Sequence, residues 1–542
     1  MRVRLLVLAL FSITLFAETP KVVRPAEGYR IAGVVYDATS GQTLPGARVS
    51  LGSAAGQSMP DRSVVTGPDG SFAFDHLPAG KYQVYGEAIG YPLQGFEQHE
   101  SPYLTAIAVG PGIAADHTTF RLQRGNVISG VITDEYNDPV RNARVMLFHR
   151  GLENGSFSTH FSRQGQSDDQ GYYKFASLMP GTYFVAAWAR PWYARSVYTL
   201  PSGWQASPQT TDSIKRLDVA FPVTFYSGAT GPDDATGITV ANGERVSADL
   251  GLHSVPAVNL HLRRTAGANG AVPFVRLSAP TFGGYDLPVE LEQRYQNGEI
   301  IYTGLAPGRY LAHATIPGAE GERVEEIDVE SDTTIDPDTF TTAGACSIKG
   351  LAQMADGDAL PRGLVVSIRN EKTGVGNATA VDERGGFGFA DLQPGSYEIS
   401  VGAGRDIYLK DMAAAHAHID GRSVTIAGSA TAEIAITLGR GLAEIHGTAL
   451  QDGKGMGGTM VLLVPANSGA NYVLFRRDQS DSDGTFLLPR VVPGRYEVVA
   501  IQNGWELEWS KPEVLKPYLT KATPVTVIAD TRYDIKVQVQ PK

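Results

Sequence analysis

Cysteine is nearly missing from the sequence, which has Cys346 alone among 542 residues. A single cysteine excludes an intrachain disulfide. Exported eukaryotic modules of about 100 residues usually carry disulfides. The shortage therefore favours a bacterial export route and a fold whose stability rests on packing.

Helical periodicity is almost absent too, and only Lys410 to His416 could form a helical turn. The 61 glycines and 32 prolines suit many short strands joined by tight turns. Apolar residues alternate instead, as in Phe72/Phe74, which places both rings on one face of a strand. The pattern predicts an all-β fold.

Basic clusters and long apolar runs are also lacking. The net charge of −11 is spread along the chain, which argues against nucleic acid or anionic lipid as a partner. One short apolar run, residues 5–16, follows Arg2 and Arg4 and precedes Ala17, as in a signal peptide that spans residues 1–17. An uncleaved anchor is the alternative, because Leu15 is large for its position. No later run reaches the ~20 residues of a membrane span. We expect export to the periplasm, the outer surface or the medium.

A spaced pattern, Gly-x6-[Leu/Val]-x2-Gly-x-Tyr, occurs five times and is called the corner below. Its glycine opens a turn that we expect to be a two-residue hairpin, as in Asp483-Gly484, and Pro493-Gly494 suits a second turn. The five corners run from Gly70 to Tyr82, Gly171 to Tyr183, Gly298 to Tyr310, Gly385 to Tyr397 and Gly484 to Tyr496. Fixed spacing at intervals of about 100 residues indicates tandem domains.

The repeat predicts five antiparallel β-sandwich modules in an elongated, monomeric rod with modest contacts between modules. Their predicted bounds are 28–123 (module 1), 124–251 (module 2, with a long aromatic insertion), 252–342 (module 3, divergent), 343–440 (module 4) and 441–542 (module 5). Each corner tyrosine should bury its ring and cap a nearby backbone group with its hydroxyl.

Four short motifs in this order resemble the carboxypeptidase regulatory-like domain. They are represented by Ile31/Gly33/Val35, Pro139/Ala143/Val145, Asp69/Gly70/Phe72 (one residue tighter than the family outline) and Leu392/Pro394/Gly395/Tyr397. The resemblance is good in modules 1, 2, 4 and 5 and weak in module 3. It implies a transthyretin-like sandwich related to starch-binding-like and collagen-adhesin folds. The matched residues are turn formers and core residues, so they say little about function.

The resemblance also implies a non-catalytic role, because the regulatory-like domain of these peptidases is a separate domain from the catalytic one. A zinc carboxypeptidase needs a His-x-x-Glu ligand pair, and none of the eleven histidines is followed by glutamate at that spacing. Neither a nucleophile elbow nor a phosphate loop occurs. We therefore expect no enzyme activity and no cofactor.

Two constellations could hold a metal, and both have simpler interpretations. His416, His418 and Asp420 alternate as on one strand face, but a fourth ligand is missing. The acidic turn at Asp481 and Asp483 resembles the start of a calcium loop, although turn chemistry explains it more simply. We expect no specific metal site.

Aromatic residues just beyond the corners are the strongest functional signal. The candidate ligand contacts are Trp192, Tyr193 and Trp204 in module 2, Trp505 and Trp509 in module 5, and Tyr91 in module 1. Aromatic faces flanked by polar groups suit sugar rings. The alternative is that these side chains pack between modules.

These observations favour a secreted, non-enzymatic binding protein of a bacterial envelope, with carbohydrate as the expected ligand. The alternative is a structural spacer or adhesive scaffold that binds envelope proteins.

Overall fold

The structure, a computed structural model, describes residues 28–53, 62–196, 213–262, 274–296, 299–315, 322–336, 346–371, 376–402, 406–427, 430–466 and 472–542. The expected signal peptide and Trp204 lie outside these residues. Within them the chain is built almost entirely of strands, as predicted. In the described part, none of the helices has the length and apolar character needed to cross a membrane.

Module 1 contains two sheets around one core. Its strands are β1 (Tyr29–Asp37), β2 (Arg48–Ser53), β3 (Arg62–Val65), β4 (Ser71–Leu77), β5 (Gly80–Ala88), β6 (Tyr91–Gly95), β7 (Ile107–Val109) and β8 (Ala115–Leu122). One sheet has the order β4-β1-β8, and the other has the order β3-β2-β5-β6 with β7 beside β5.

Module 2 repeats this plan and adds short strands after its fifth. Its strands are β9 (Asn126–Thr133), β10 (Arg144–Glu153), β11 (Ser156–Gln166), β12 (Tyr172–Leu178), β13 (Gly181–Trp188), β14 (Val219–Ala220), β15 (Thr224–Phe225), β16 (Ile238–Val240), β17 (Arg245–Ser247) and β18 (Leu250–Gly251). The main sheets have the orders β12-β9-β17 and β11-β10-β13-β15. A 3-10 turn spans Pro232–Asp234.

Module 3 has two four-stranded sheets, β23-β24-β20-β27 and β22-β21-β25-β26. The strands that begin in its range are β19 (Val255–Pro256), β20 (Val258–Leu262), β21 (Phe274–Pro280), β22 (Asp286–Pro288), β23 (Glu292–Gln296), β24 (Glu299–Leu305), β25 (Gly308–Thr315), β26 (Glu322–Val329) and β27 (Thr333–Ile335). β19 pairs with β14 of module 2, and a 3-10 turn spans Phe282–Gly284.

Module 4 has the sheets β31-β28-β36-β33 and β30-β29-β32-β35-β34. Its strands are β28 (Cys346–Met354), β29 (Val365–Asn370), β30 (Gly376–Ala380), β31 (Gly386–Leu392), β32 (Gly395–Gly402), β33 (Ile407–Ala415), β34 (His418–Asp420), β35 (Ser423–Ile426) and β36 (Thr431–Arg440). The helical turn expected from Lys410 to His416 is wrong, because β33 pairs along its length with β36.

Module 5 joins its two sheets into one curved sheet through a β42–β44 pair. Its strands are β37 (Ala443–Gln451), β38 (Lys454–Gly455), β39 (Met460–Pro465), β40 (Arg476–Gln479), β41 (Thr485–Val491), β42 (Gly494–Ile501), β43 (Thr523–Val527) and β44 (Arg532–Gln540). Helix α1 (Pro512–Leu519), which periodicity did not predict, follows 3-10 turns at Tyr472–Leu474 and Gly504–Glu506.

The antiparallel prediction holds for most strand pairs, and the exceptions are the parallel pair of β42 with β44 and one arrangement that recurs in every module. In each module the opening strand pairs in parallel with a closing strand: β1 with β8, β9 with β17, β20 with β27, β28 with β36 and β37 with β44. A parallel pair needs a long connection, and here the body of the module supplies it.

The corner tyrosines cap the backbone as predicted, and all but Tyr82, which is partly buried, also bury their rings. Each hydroxyl donates to the backbone carbonyl four residues earlier. The bonds run from Tyr82 to Pro78 (3.0 Å), Tyr183 to Met179 (2.9 Å), Tyr310 to Ala306 (2.6 Å), Tyr397 to Gln393 (2.7 Å) and Tyr496 to Val492 (2.8 Å). Because an unpaired buried hydroxyl is costly, this bond lets the ring enter the core.

The turn that opens the corner differs from the expected two-residue hairpin. Gly484 closes a longer loop: its N–H donates to Asp481 O (2.7 Å), and Asp481 N donates to Thr485 O (2.8 Å). The glycine has φ +80°, the left-handed position of a three-residue loop. The flanking strands β40 and β41 then enter different sheets. Modules 1, 2 and 4 cross between sheets in the same way, whereas β23 and β24 of module 3 form a true hairpin.

A left-handed residue precedes the aliphatic residue of every corner, and the register shifts there. These residues are His76 (φ +58°), Ser177 (+57°), Gly304 (+80°), Asp391 (+56°) and Arg490 (+55°). Glycine, the residue best suited to this conformation, occupies only one of the five positions. For this reason a bulge that recurs in all five corners could not be predicted from the residue types at this position.

Candidate functional site

The predicted ligand contacts of module 2 lie at a small recess between the end of β9 and the segment after β13. Trp192 is 86% exposed and Tyr136 is 70% exposed, and both line the recess, whose volume is about 310 Å³. Tyr193 stands between them: its ring centroid is 5.8 Å from that of Trp192 and 6.4 Å from that of Tyr136, both edge to face. The recess, called the Trp192 recess below, is also lined by Asp134, Glu135, Asp138, Arg216, Leu217, Val219 and Ser254.

Local hydrogen bonds hold these aromatic rings. Asp134 Oδ1 accepts from Tyr136 N and Asp138 N, both at 2.9 Å, which fixes the turn that carries Tyr136. Glu135 Oε1 accepts from the Tyr193 hydroxyl (2.5 Å) and from Ser254 Oγ (2.6 Å). The Tyr193 side chain therefore stabilises the wall of the recess and does not offer a free ring face to a ligand.

The same bonds set the charge of Glu135. Burial raises the pKa of Glu135, but the hydrogen bonds from Ser254 and Tyr193 outweigh it, so the pKa lies below its usual range. Burial and the bond to Glu135 raise the pKa of Tyr193 to about 12. Glu135 Oε2 is buried and has no hydrogen-bond partner among the described residues. The recess therefore contains an ionised carboxylate, one oxygen of which is buried and unpaired among the described residues.

The predicted contacts of module 5 are found elsewhere, at a contact of three modules. Trp505 is 7% exposed and Trp509 is 8% exposed, so neither offers a face to a ligand in this arrangement. They share an apolar cluster with Tyr103 of module 1 and Leu152 of module 2. We call this contact the junction.

Arg477 lies at the centre of the junction. Its guanidinium carbon is 4.6 Å from the ring centroid of Tyr103, 5.4 Å from that of Trp505 and 5.5 Å from that of Trp509. The guanidinium also donates two hydrogen bonds to Glu100 of module 1. Such a cation, surrounded by aromatic faces and paired with a carboxylate, is a strong anchor.

Further module 1 groups extend the contact. The His99 ring stacks on Trp505, with centroids 5.6 Å apart and planes 6° apart, and burial lowers the pKa of His99. Gln479 Nε2 donates to Glu97 O (2.6 Å) and to Thr105 Oγ1 (2.7 Å).

The corner turn of module 5 takes part in the same contact. Asp481 Oδ1 accepts from Ala106 N (3.1 Å), and Ser482 N donates to Ala106 O (2.9 Å). Lys81 Nζ pairs with Asp481 Oδ2 at 2.5 Å. Asp483 accepts a hydrogen bond from Thr485 N, which supports the interpretation of the acidic turn as turn chemistry. The same turn also binds another module. The sequence contained no signal for this use, because it depends on residues nearly 400 positions away.

Module 2 contributes the tip of its β10–β11 hairpin. Ser510 N donates to Gly155 O (3.1 Å), and Phe157 N donates to Glu508 Oε1 (3.1 Å). A Cβ atom on Gly155 would lie 2.6 Å from the Trp509 ring, and Gly155 has φ +83°. Only glycine fits this contact without strain.

These contacts correct the expectation of an elongated rod with modest contacts between modules. Module 1 packs on module 5, so the chain folds back on itself. Modules 2 and 3 also share one apolar core, in which Phe148 contacts Phe282 at 5.3 Å between ring centroids.

Tyr91 is the remaining predicted contact in module 1, and it is 7% exposed. Its hydroxyl donates to Asp37 Oδ2 (2.6 Å), and Arg124 Nε binds the same oxygen at 2.7 Å. Burial and the bond to Asp37 raise the pKa of Tyr91. Its position is that of a core residue of module 1, beside Arg124 at the start of module 2.

The histidines of module 4 are not brought together as a metal site. His416 has φ +60° and precedes β34, which contains His418 and Asp420. Among the described residues, no group of three or more histidine, cysteine, aspartate or glutamate side chains could hold a metal ion.

Comparisons with solved structures found similarities of low identity and low TM-score. Among solved structures, a streptococcal ancillary pilin is 12% identical, with 53% of this chain and 100% of the pilin covered and a TM-score of 0.19. The Bacillus anthracis TIE protein is 11% identical (92% and 69% covered, TM-score 0.15), and BcpA, the major pilin subunit of Bacillus cereus, is 11% identical (76% and 99%, TM-score 0.16). Similarities at this level do not bear on function.

No curated protein matches the chain. Residues 30–122 match the family model of the carboxypeptidase regulatory-like domain. Module 1, whose sequence carries the Ile31/Gly33/Val35 and Asp69/Gly70/Phe72 motifs, is therefore a carboxypeptidase regulatory-like domain.

Proposed function

We propose that the protein is a non-catalytic, exported scaffold of a bacterial envelope, in which modules 1, 2 and 5 are held together and the outer faces bind protein partners. The observation that carries this proposal is the junction: Trp505 and Trp509, candidates for ligand contact, are buried between modules. A binding protein that used these indoles would need them exposed.

The junction is suited to a scaffold because it limits motion between modules. Contacts between domains of one chain are commonly polar and permit relative motion. Here buried aromatic rings, a bidentate ion pair and main-chain bonds to Ala106 combine in one contact. Such a contact keeps the outer faces of the modules in constant relation to each other.

Export rests on the N-terminal pattern at residues 1–17, which resembles a signal peptide. The charge of the chain, spread without a basic cluster, argues against nucleic acid and anionic lipid as partners, and the proposal takes proteins as the partners instead.

Small-angle scattering combined with cross-linking in the producing cell tests the scaffold. We expect Arg477→Ala to increase the radius of gyration and to lose the envelope proteins that cross-link to the wild type. Arg309→Ala, which removes a surface ion pair with Glu326, should change neither measurement. Unchanged dimensions and partners in Arg477→Ala would overturn the proposal.

Saccharide binding at the Trp192 recess is a second candidate function. The specific observation in its favour is that Trp192 is 86% exposed beside an ordered recess with a carboxylate acceptor. An open indole face suits the C–H face of a sugar ring, and carboxylate oxygens accept from sugar hydroxyls.

A glycan array tests this second function. Binding that disappears in Trp192→Ala but persists in Tyr295→Ala, another exposed aromatic (70% exposed, in module 3), would support it. Failure of the wild type to bind any glycan would contradict the second function and leave the scaffold as the one proposed function.

A further inference from the structure

We infer that the Trp192 recess selects a saccharide that carries a free ammonium group, that is, an amino sugar without its acetyl group. The inference rests on the second candidate function, saccharide binding at this recess, and adds the charge of the ligand to it.

The first argument is the balance of charge around the recess. Its lining contains three carboxylates, from Asp134, Glu135 and Asp138, against one guanidinium, from Arg216. The whole protein has a formal net charge of −11. An anionic sugar would be repelled by both the recess and the whole chain, whereas a cation is attracted by both.

The second argument is the uncompensated negative charge of Glu135 beside the recess. Glu135 Oε1 is occupied by Tyr193 and Ser254, while the buried Oε2 has no partner within the part of the chain that the structure describes. The negative charge of this carboxylate attracts an ammonium group in the recess, whereas a neutral hydroxyl gains no such charge–charge attraction. A charged donor is therefore the better occupant.

The third argument is the aromatic surface. Trp192 and Tyr136 are both open and both lie beside Tyr193. Aromatic faces attract cations as well as C–H groups, and tryptophan does so best. An amino sugar uses both properties, because its ring carries C–H groups on one face and an ammonium at its edge.

A volume of about 310 Å³ sets the size of the occupant. The recess lies at the low end of the range for small-molecule sites, so it has room for one sugar ring of a chain rather than for a long segment.

The experiment is isothermal titration of the full chain with a trisaccharide of glucosamine, its N-acetylated form and a neutral glucose trisaccharide. It is done at a pH that keeps the amines protonated. We expect the glucosamine form to bind about ten-fold tighter than the acetylated form. Acetylation converts the charged ammonium group into a neutral amide and adds only a small acetyl group.

Two variants separate charge from shape. Asp138→Asn removes one surface carboxylate, and Arg216→Gln removes the only guanidinium of the lining. For an ammonium ligand, Asp138→Asn should weaken binding by about two- to five-fold and Arg216→Gln should strengthen it by a similar factor. Trp192→Ala should weaken binding of all sugars by at least about ten-fold.

The outcomes distinguish this inference from the function on which it rests. Equal binding of the acetylated or neutral trisaccharide would overturn the charge selectivity while preserving saccharide binding. Binding of none of the three would overturn both. Trilysine binding as tight as that of the glucosamine form would overturn the saccharide assignment and leave a cation site for a protein partner.

Discussion

Arg477 of module 5 and Glu100 of module 1 form a bidentate ion pair at 2.8 and 2.9 Å across 377 residues of sequence. The Arg477 side chain is only 9% exposed. The pair connects two modules that a linear arrangement would keep furthest apart. Four predictions follow from this contact and from the corners.

Arg477→Ala should destabilise the junction. It removes a buried cation from three aromatic faces and leaves Glu100 without its partner, which we expect to destabilise the closed arrangement by about 3 kcal/mol. Urea unfolding followed by tryptophan fluorescence reports it through Trp505 and Trp509. Arg309→Ala is the control, because Arg309 pairs with Glu326 on the surface with both side chains more than half exposed. Its loss should cost less than about 1 kcal/mol, and equal effects of the two variants would contradict the prediction.

Gly155→Ala should detach the module 2 hairpin from Trp509. The new Cβ would lie 2.6 Å from the ring, and the residue must also keep a left-handed backbone. Gly90→Ala is the matched control: Gly90 has φ +85° but no atom within 4 Å of the added Cβ. We expect about 1 kcal/mol of backbone strain in the control and about 2 to 4 kcal/mol in Gly155→Ala, where a clash adds to the strain. Hydrogen exchange at the hairpin tip and at Ser510 measures the detachment. The same exchange in both variants would contradict the clash.

The stability of the protein should depend on pH through Asp478. Burial raises its pKa from 3.8 to about 7, Asp481 adds to the rise, and the Leu487 N–H and Lys81 oppose it. Because the folded state keeps this proton after the unfolded chain has lost it, the stabilisation is complete below about pH 4 and is lost as pH rises towards 7.

Asp478→Asn isolates this effect. The amide oxygen can still accept from Leu487 N, a bond of 2.8 Å in the wild type, but the titration is gone. The difference in unfolding free energy between variant and wild type should therefore change between about pH 4 and 7. Taking a difference cancels His99, whose lowered pKa acts in the opposite direction. If the difference in unfolding free energy does not vary with pH, the pH dependence is not due to Asp478.

Tyrosine-to-phenylalanine substitutions at the corners should cost stability in proportion to burial. Tyr310 is 7% exposed and donates to the buried carbonyl of Ala306, so Tyr310→Phe leaves an unpaired buried acceptor. We expect about 1 to 3 kcal/mol there. Tyr82 is only half buried, and its partner Pro78 can bond to water, so Tyr82→Phe should cost less than about 1 kcal/mol. Thermal unfolding of the two variants compares them, and the reverse order would contradict the argument.

The features that the sequence predicted are those that depend on nearby residues. The tyrosine bond spans four residues, and the glycine turn is closed by groups within five positions. The residues of each repeat therefore determine the local structure of its own corner. The bulge before each aliphatic residue is also local, yet His76, Ser177, Asp391 and Arg490 share no side-chain property that would have indicated it. The sheet change at the turn was missed because turn chemistry does not specify with which strand the chain pairs next.

The candidate site divides in the same way. Sequence reasoning recognised Trp192, Tyr193, Trp505 and Trp509 as one class because they occupy equivalent positions beyond the corners. Their exposure could not be predicted, since it depends on what lies opposite each ring. Module 1 and a hairpin of module 2 cover Trp505 and Trp509, whereas Trp192 remains open.

By itself, the sequence determined the all-β character, the repeated corner and the tyrosine bond that stabilises it, because these follow from local turn chemistry and alternating apolar residues. Only the tertiary structure decided that the chain folds back so that Arg477 meets Glu100, and which aromatic faces stay open. The physical reason is that contacts between distant segments depend on complementary surfaces, which no local pattern encodes.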